Sequence, residues 1–139
     1  MRVRVLMFTI LAAAVFAPAS QAHHSFAMFD NTKLNKLSGT VKEFEHINPH
    51  AWVHLTVAGA GARPVTWSFE MGSVSQLVRD GWNQSTVKAG DRVTVAFHPL
   101  KDGSNGGQFR SVVFEDGREM CQAGAGNRRC QTGQLPAAE

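Results

Sequence analysis

The chain has 139 residues, with 14 Lys and Arg against 11 Asp and Glu, six histidines, two cysteines and no tyrosine. Arg2 and Arg4 fall within the first 22 residues, so the remainder carries 12 basic against 11 acidic groups, a net charge of +1. That balance leaves no basic stripe and argues against a nucleic-acid partner, while the length fits one small domain.

The N-terminus reads as a secretory signal. Met1-Arg2-Val3-Arg4 is a short basic start, Val5 to Phe16 is apolar except for Thr9, and Ala17-Pro18-Ala19-Ser20-Gln21-Ala22 supplies small residues. These are the basic, apolar and cleavage regions of a signal peptide. The apolar run is shorter than the about 20 residues a membrane-spanning helix needs, so no span is expected after cleavage. Two cleavage sites compete. Cutting after Ala22 releases His23, and cutting after Ala19 releases Ser20; the residues following Ala22 read as mature protein, which favours the first. The expected organisation is a signal over residues 1–22, an N-terminal arm over 23–36, a β-domain over 37–117 and a tail over 118–139. The expected location is the periplasm or the exterior of the cell. In such an oxidising compartment Cys121 and Cys130, both in the tail, are expected to form one disulfide around a small polar loop.

In the arm, Phe26, Met28 and Phe29 offer apolar anchors, and Asp30-Asn31-Thr32-Lys33 reads as a turn. Ser38 to Glu45 reads as a strand. Asn48-Pro49-His50-Ala51 reads as a tight turn with proline at its second position. In Trp52 to Val57, Val53, Leu55 and Val57 face one way, and Trp52, His54 and Thr56 the other. Val65, Trp67, Phe69 and Met71 share one face of a third strand, opposite Thr66, Ser68 and Glu70. Ser73 reads as the N-cap of a short helix with Val74, Leu77 and Val78 as its apolar stripe, ended by Gly81. Lys88-Ala89-Gly90-Asp91 turns into a fourth strand, Arg92 to Phe97. Pro99 to Gly107 reads as a glycine-rich loop before a fifth strand, Gln108 to Glu115.

Three strands, a short helix and two strands is the order of a mainly β, five-stranded OB-like Greek-key barrel. A generic antiparallel sandwich is the competing architecture.

Ala22-His23-His24-Ser25-Phe26-Ala27-Met28-Phe29-Asp30, Gly39-Thr40-Val41, Asn48-Pro49-His50-Ala51-Trp52 and Lys88-Ala89-Gly90-Asp91 together resemble an uncharacterised family of small secreted bacterial proteins, a domain of unknown function of the DUF6152 type. The resemblance covers nearly the whole mature chain. It implies a periplasmic or secreted setting and brings no activity with it. The Cys121 and Cys130 tail lies outside the matching motifs.

A chain released at His23 would offer an α-amine and an imidazole on one residue. Nitrogen ligands suit copper, nickel and zinc, and Cu(II) binds tightest. The amine must first lose a proton from a group of pKa about 7.7–8.0. His24, His50 or His54 is the expected further ligand, giving three nitrogens as in histidine-brace copper proteins. A tight turn at Asn48–Ala51 places Glu45 opposite His54, a carboxylate that could orient the imidazole from behind. His50 and His54 are too far apart along an extended strand, about 13 Å, to share an ion without a bend. His46 is expected on the core side and His98 at a strand end. The alternative reading is an interaction module. It would bind a protein, peptide or glycan on the outer face formed by Trp52, His54, Thr66, Ser68 and Glu70, with Trp52 as a stacking platform. No serine sits in a nucleophile elbow and no glycine-rich phosphate loop follows a strand, so no catalytic constellation is read.

Overall fold

The computed structural model describes residues 26–59, 61 and 63–122. Six strands form one sheet: β1 (Asn35–Glu45), β2 (Trp52–Ala58), β3 (Pro64–Glu70), β4 (Arg92–Pro99), β5 (Gly106–Phe114) and β6 (Glu119–Cys121), with helix α1 (Val74–Arg79) between β3 and β4. Antiparallel pairing joins β3 to β2, β2 to β1, β1 to β4 and β4 to β5. A parallel pairing of β3 with β5 then closes the sheet into a five-stranded mixed barrel. The helix placement and closure are those of the OB-like barrel, not of an open sandwich.

The alternation in the sequence sets the inside of the barrel. Val53 and Leu55 of β2, Phe69 of β3, Val93, Val95 and Phe97 of β4, and Phe109 and Val112 of β5 are buried in one core. β1 is long enough to serve two neighbours. Its Asn35 to Thr40 half pairs with β4, and Thr40 to Glu45 pairs with β2 across a bulge between Val41 and Glu43. At the bulge, Val41 N–H donates to Asp91 O and Gly90 N–H donates to Val41 O, each at 2.8 Å. The Lys88–Asp91 turn therefore satisfies the backbone groups that the bulge removes from the ladder.

Ser73 caps α1, its hydroxyl accepting from Gln76 N–H at 3.4 Å. Gly81, at φ +88°, turns the chain after it, the left-handed conformation that favours glycine there. Leu77 is fully buried, whereas Val78, expected in the apolar stripe, is 56 % exposed. Six residues present only one buried side chain to the barrel, and the neighbouring apolar position turns to solvent. The larger plug is Trp82, just beyond the helix. Trp82 is 1 % exposed, meets Phe109 edge-on at 5.5 Å and donates its indole N–H to Cys121 O at 2.9 Å. Burying so large a ring with its one polar atom satisfied is what holds β6 against the barrel. β6 itself lies in the stretch read as tail, and pairs Ser111 with Cys121 through Val113 with Glu119.

Four boundaries differ from the sequence expectation, the first being β1, which begins at Asn35, inside the stretch read as arm, rather than at Ser38. The Asn48–Ala51 segment is not a tight hairpin turn; β1 stops at Glu45 and β2 begins at Trp52, leaving a six-residue loop with a cis Asn48–Pro49 bond. That loop docks on the helix start, Val74 N–H donating to Asn48 Oδ1 at 3.2 Å. β4 runs on to Pro99, and β5 begins inside the glycine-rich loop at Gly106. The reason is closure. A methyl group on Gly106 would overlap Ser68 O, and one on Gly107 would overlap His98 O and the Phe97 ring. Only glycine lets β5 approach both neighbours here.

Gly107→Ala is expected to lower the unfolding free energy by about 2–3 kcal/mol through backbone overlap. Gly103→Ala, whose Cβ would meet nothing within 4 Å at φ +79°, should cost about 1–2 kcal/mol for its positive φ alone. Urea unfolding of the two variants checks the order.

Candidate metal centre on the outer barrel face

The outer face is assembled by cross-strand register. Glu45, Trp52 and Glu70 are successive partners across β1, β2 and β3, and Glu43, His54 and Ser68 form the next row. The expectation that Glu45 stands opposite His54 is therefore corrected by two residues, because the β1–β2 connection is a six-residue loop. A two-residue slip keeps every side chain on its face. Glu45 thus still reaches His54, but diagonally, with Glu45 Oε1 3.3 Å from His54 Nε2. On its other side His54 Nδ1 lies 2.8 Å from Ser68 Oγ. The Trp52 and His54 rings are parallel within 8°, centroids 6.3 Å apart. Thr66 sits farther along the same face, opposite Thr56, and is exposed.

His50 belongs to a second group. Its Nδ1 is 2.8 Å from Glu70 Oε1 and 3.1 Å from Met71 O. A carbonyl only accepts hydrogen bonds, so Nδ1 carries the proton and donates. A metal bond at His50 would then go through Nε2, with a carboxylate behind the ring. This is the arrangement that fixes the tautomer and raises ligand basicity at metal sites. Glu70 is 7 % exposed and is the buried charged residue among the described residues. Sequence reasoning placed Glu70 on the ligand face and gave the orienting role to Glu45. The closer carboxylate–imidazole contact is the one between Glu70 and His50. His50 lies in the loop, so strand periodicity carried no information about its direction.

His46, expected on the core side, is only half-buried in the loop after β1, with its ring 5.5 Å from Phe44 and its Nε2 buried without a hydrogen-bond partner. His54 Nε2 is likewise buried without a hydrogen bond of good geometry, so the ring edge facing Glu45 is closed over. Among the described residues no three His, Cys, Asp or Glu side chains come together in a group that could hold a metal. His23 and His24 lie outside the described residues, as does Cys130, the expected partner of Cys121.

The far side of the face was missed by sequence reasoning. Gln108 of β5 is the register partner of both Glu70 and His98, which makes Glu70, Gln108 and His98 one row across β3, β5 and β4. His98 Nδ1 is 2.6 Å from Lys33 O. The arm is attached beside it. Phe29 is buried and bridges to Leu100, Asp30 N–H donates to Pro99 O at 2.8 Å, and Lys101 N–H donates to Met28 O at 3.0 Å. The signal in the sequence was Phe29, read there as an anchor with no docking position attached.

Thr32 holds the turn that follows. Its hydroxyl donates to Asp30 Oδ1 at 2.6 Å, and Lys33 Nζ lies 3.0 Å from Asp30 Oδ2. The Thr32 hydrogen bond first, and the Lys33 ammonium second, lower the Asp30 pKa to about 2.

These features define a closed OB-like barrel whose strand 2–strand 3 face carries imidazoles and carboxylates. The chain belongs to the family described as a family of unknown function (DUF6152), which matches residues 11–110. No curated protein and no solved structure matches it. No described helix is long and apolar enough to cross a membrane.

Because the folded pKa of Asp30 is depressed below the ordinary aspartate value of 3.8 to about 2, its contribution to the Asp30–Lys33 turn is complete above about pH 4. It is lost as pH falls through about 2. An NMR titration of the Asp30 carboxyl should show that midpoint. Thr32→Val should move it toward the ordinary aspartate range.

Proposed function

We propose that the mature protein is a periplasmic or secreted copper-binding protein whose chelate is the N-terminal His23, through its amine and ring, completed by an imidazole of the barrel. Storage, delivery or sequestration of the metal fits this chemistry, and no catalysed step is part of the reading. Cleavage after Ala22 is required, because an internal His23 has no α-amine. A Cys121–Cys130 disulfide would staple the tail to β6 beside Trp82.

The observation that carries the reading is His50 on Glu70. A buried carboxylate 2.8 Å from Nδ1 sets the imidazole for metal at Nε2. His54 is the less suitable partner, because its Nε2 is buried against Glu45. Chain length permits the contact. From Phe29 back to His23 is six residues, a reach of at most about 20 Å. Phe29 bridges to Leu100, Leu100 N–H donates to Gly106 O, and Gly106 pairs with Ser68 two residues from Glu70. Three interstrand steps of about 4.8 Å, and two residues along β3 at right angles to them, about 7 Å, put Glu70 about 16 Å from Phe29.

Protein beginning at His23 is expected to bind Cu(II), with affinity rising as pH passes through the α-amine range near 7.7–8.0. One added N-terminal Ala should weaken binding by at least about tenfold, and equal affinities by calorimetry would sink the terminal chelate. His50→Ala should weaken it by a similar factor, and Glu70→Gln less.

A second reading is supported by the parallel Trp52 and His54 rings. On an OB-like barrel the strand 2–strand 3 face is the usual ligand surface, and a flat aromatic pair there would stack a sugar or a planar side chain. Under this reading Trp52→Ala abolishes capture on peptide or glycan arrays and leaves Cu(II) affinity unchanged. Capture that survives the substitution removes the platform role.

A further inference from the structure

His54 joins two groups at once. Its Nδ1 lies 2.8 Å from Ser68 Oγ, and its Nε2 lies 3.3 Å from Glu45 Oε1. A carboxylate only accepts hydrogen bonds, so Nε2 is the nitrogen that carries the proton. Nδ1 then holds the lone pair, and the Ser68 hydroxyl donates to it. A hydroxyl on the basic nitrogen of a ring whose other nitrogen faces a carboxylate is the arrangement of an activated serine nucleophile. Such sites are recognised by geometry and roles, not by order in the chain. A search for a nucleophile elbow therefore passes this serine by. The Glu45 contact is long and poorly aligned, as hydrogen bonds of this kind often are before substrate binds.

Three adjacent strands supply the group. Glu45 ends β1, His54 lies in β2, and Ser68 is its register partner in β3. The His54 side chain is 18 % exposed, and the Trp52 ring lies parallel beside it, which limits competition from water for its nitrogens. Ser68 is half-buried, and its partner on the other side is Gly106. No β5 side chain can stand there, since a Cβ would overlap Ser68 O. Leu100 Cδ1 lies 3.6 Å from where that Cβ would be. Ser68 is thus flanked by a glycine with a leucine methyl above it. That gives room and an apolar contact for a short acyl chain rather than a long one.

We propose that Ser68 accepts the acyl group of short-chain carboxylic esters, with His54 as general base and Glu45 positioning the ring. The inference goes beyond the copper reading, which uses His50, and needs no metal. Ser68 Oγ attacks the ester carbonyl carbon while its proton passes to His54 Nδ1. The tetrahedral intermediate collapses by breaking the bond to the alcohol oxygen. The alcohol leaves with the proton returned by His54, and Ser68 is left as its acyl ester. Water repeats the sequence on the acyl-serine. Its proton passes to Nδ1 and on to Ser68 Oγ, and the carboxylic acid departs. No atom changes oxidation state.

Two reagents test this on metal-free protein. A fluorophosphonate, which a serine cannot readily release, is followed by peptide mass spectrometry. p-Nitrophenyl acetate is followed by p-nitrophenolate release. The expected results are a single phosphonyl group on Ser68 and an ester cleavage that Ser68→Ala abolishes. His54→Asn should slow both reactions by at least about 100-fold. Label on other residues with none on Ser68, cleavage that survives Ser68→Ala, or an unchanged rate in His54→Asn overturns the proposal. The labelling of unaltered protein stands independently of how the variants fold. Ring ¹⁵N shifts of His54 in unaltered protein should show a protonated Nε2 and a bare Nδ1, and the opposite tautomer overturns the role of His54 as base. Glu45→Gln should shift that tautomer balance and slow labelling less than His54→Asn does. An unchanged balance and rate overturns the positioning role of Glu45.

Discussion

The barrel depends on one close approach. β5 must lie against β3 on one edge and β4 on the other, and it does so at Gly106 and Gly107, where any side chain would strike Ser68 O or His98 O and the Phe97 ring. Backbone can approach backbone at that distance only where no Cβ intervenes. Without this seam the sheet would present two unpaired edges and a core open along one side. With it, Phe69, Phe97 and Phe109 are enclosed together, and β3 and β4 are brought to either side of one strand.

The outer face that carries Glu70 and His98 is a by-product of the same seam. Glu70 and His98 are 28 residues apart in sequence, yet each pairs with Gln108. The loop between β1 and β2 completes the face from the other side. Its Asn48 accepts from the start of α1, and Ala51 exchanges hydrogen bonds with Gly72 O and Met71 N–H. Those bonds hold the loop so that the His50 ring turns onto Glu70. A carboxylate buried on the outside of a barrel would be costly without such a partner. The pairing of Glu70 with His50 accounts for its tolerance, and it is also what gives the imidazole a defined orientation.

Reading the strands from alternation succeeded where side chains alternate strictly. Val53 and Leu55 against Trp52 and His54, and Phe69 against Ser68 and Glu70, were legible because a period of two survives any even slip of register. That is why the Glu45–His54 contact was anticipated for a register wrong by two residues. Trp82 was not legible as the core plug, since it follows a helix of six residues in a polar stretch with no periodicity to place it. Gly106 and Gly107 read as loop because two adjacent glycines are the ordinary mark of one. The opposite meaning, a strand squeezed between two others, needs the neighbours to be known. Leu77 was found and Val78 misplaced, since so short a helix needs only one buried side chain.

Composition, the period-two strands and the helix-capping serine determined the broad class by themselves: one small, mainly β, five-stranded barrel with a single helix after the third strand. Each of these is a local signal, carried by residues within a few positions of one another. Tertiary structure alone decided which side chains meet on the outer face. His50 with Glu70, His98 with the Lys33 carbonyl, and Phe29 with Leu100 are contacts between distant segments. Their partners are chosen by register and by closure of the barrel, and neither quantity is written in any one stretch of the chain.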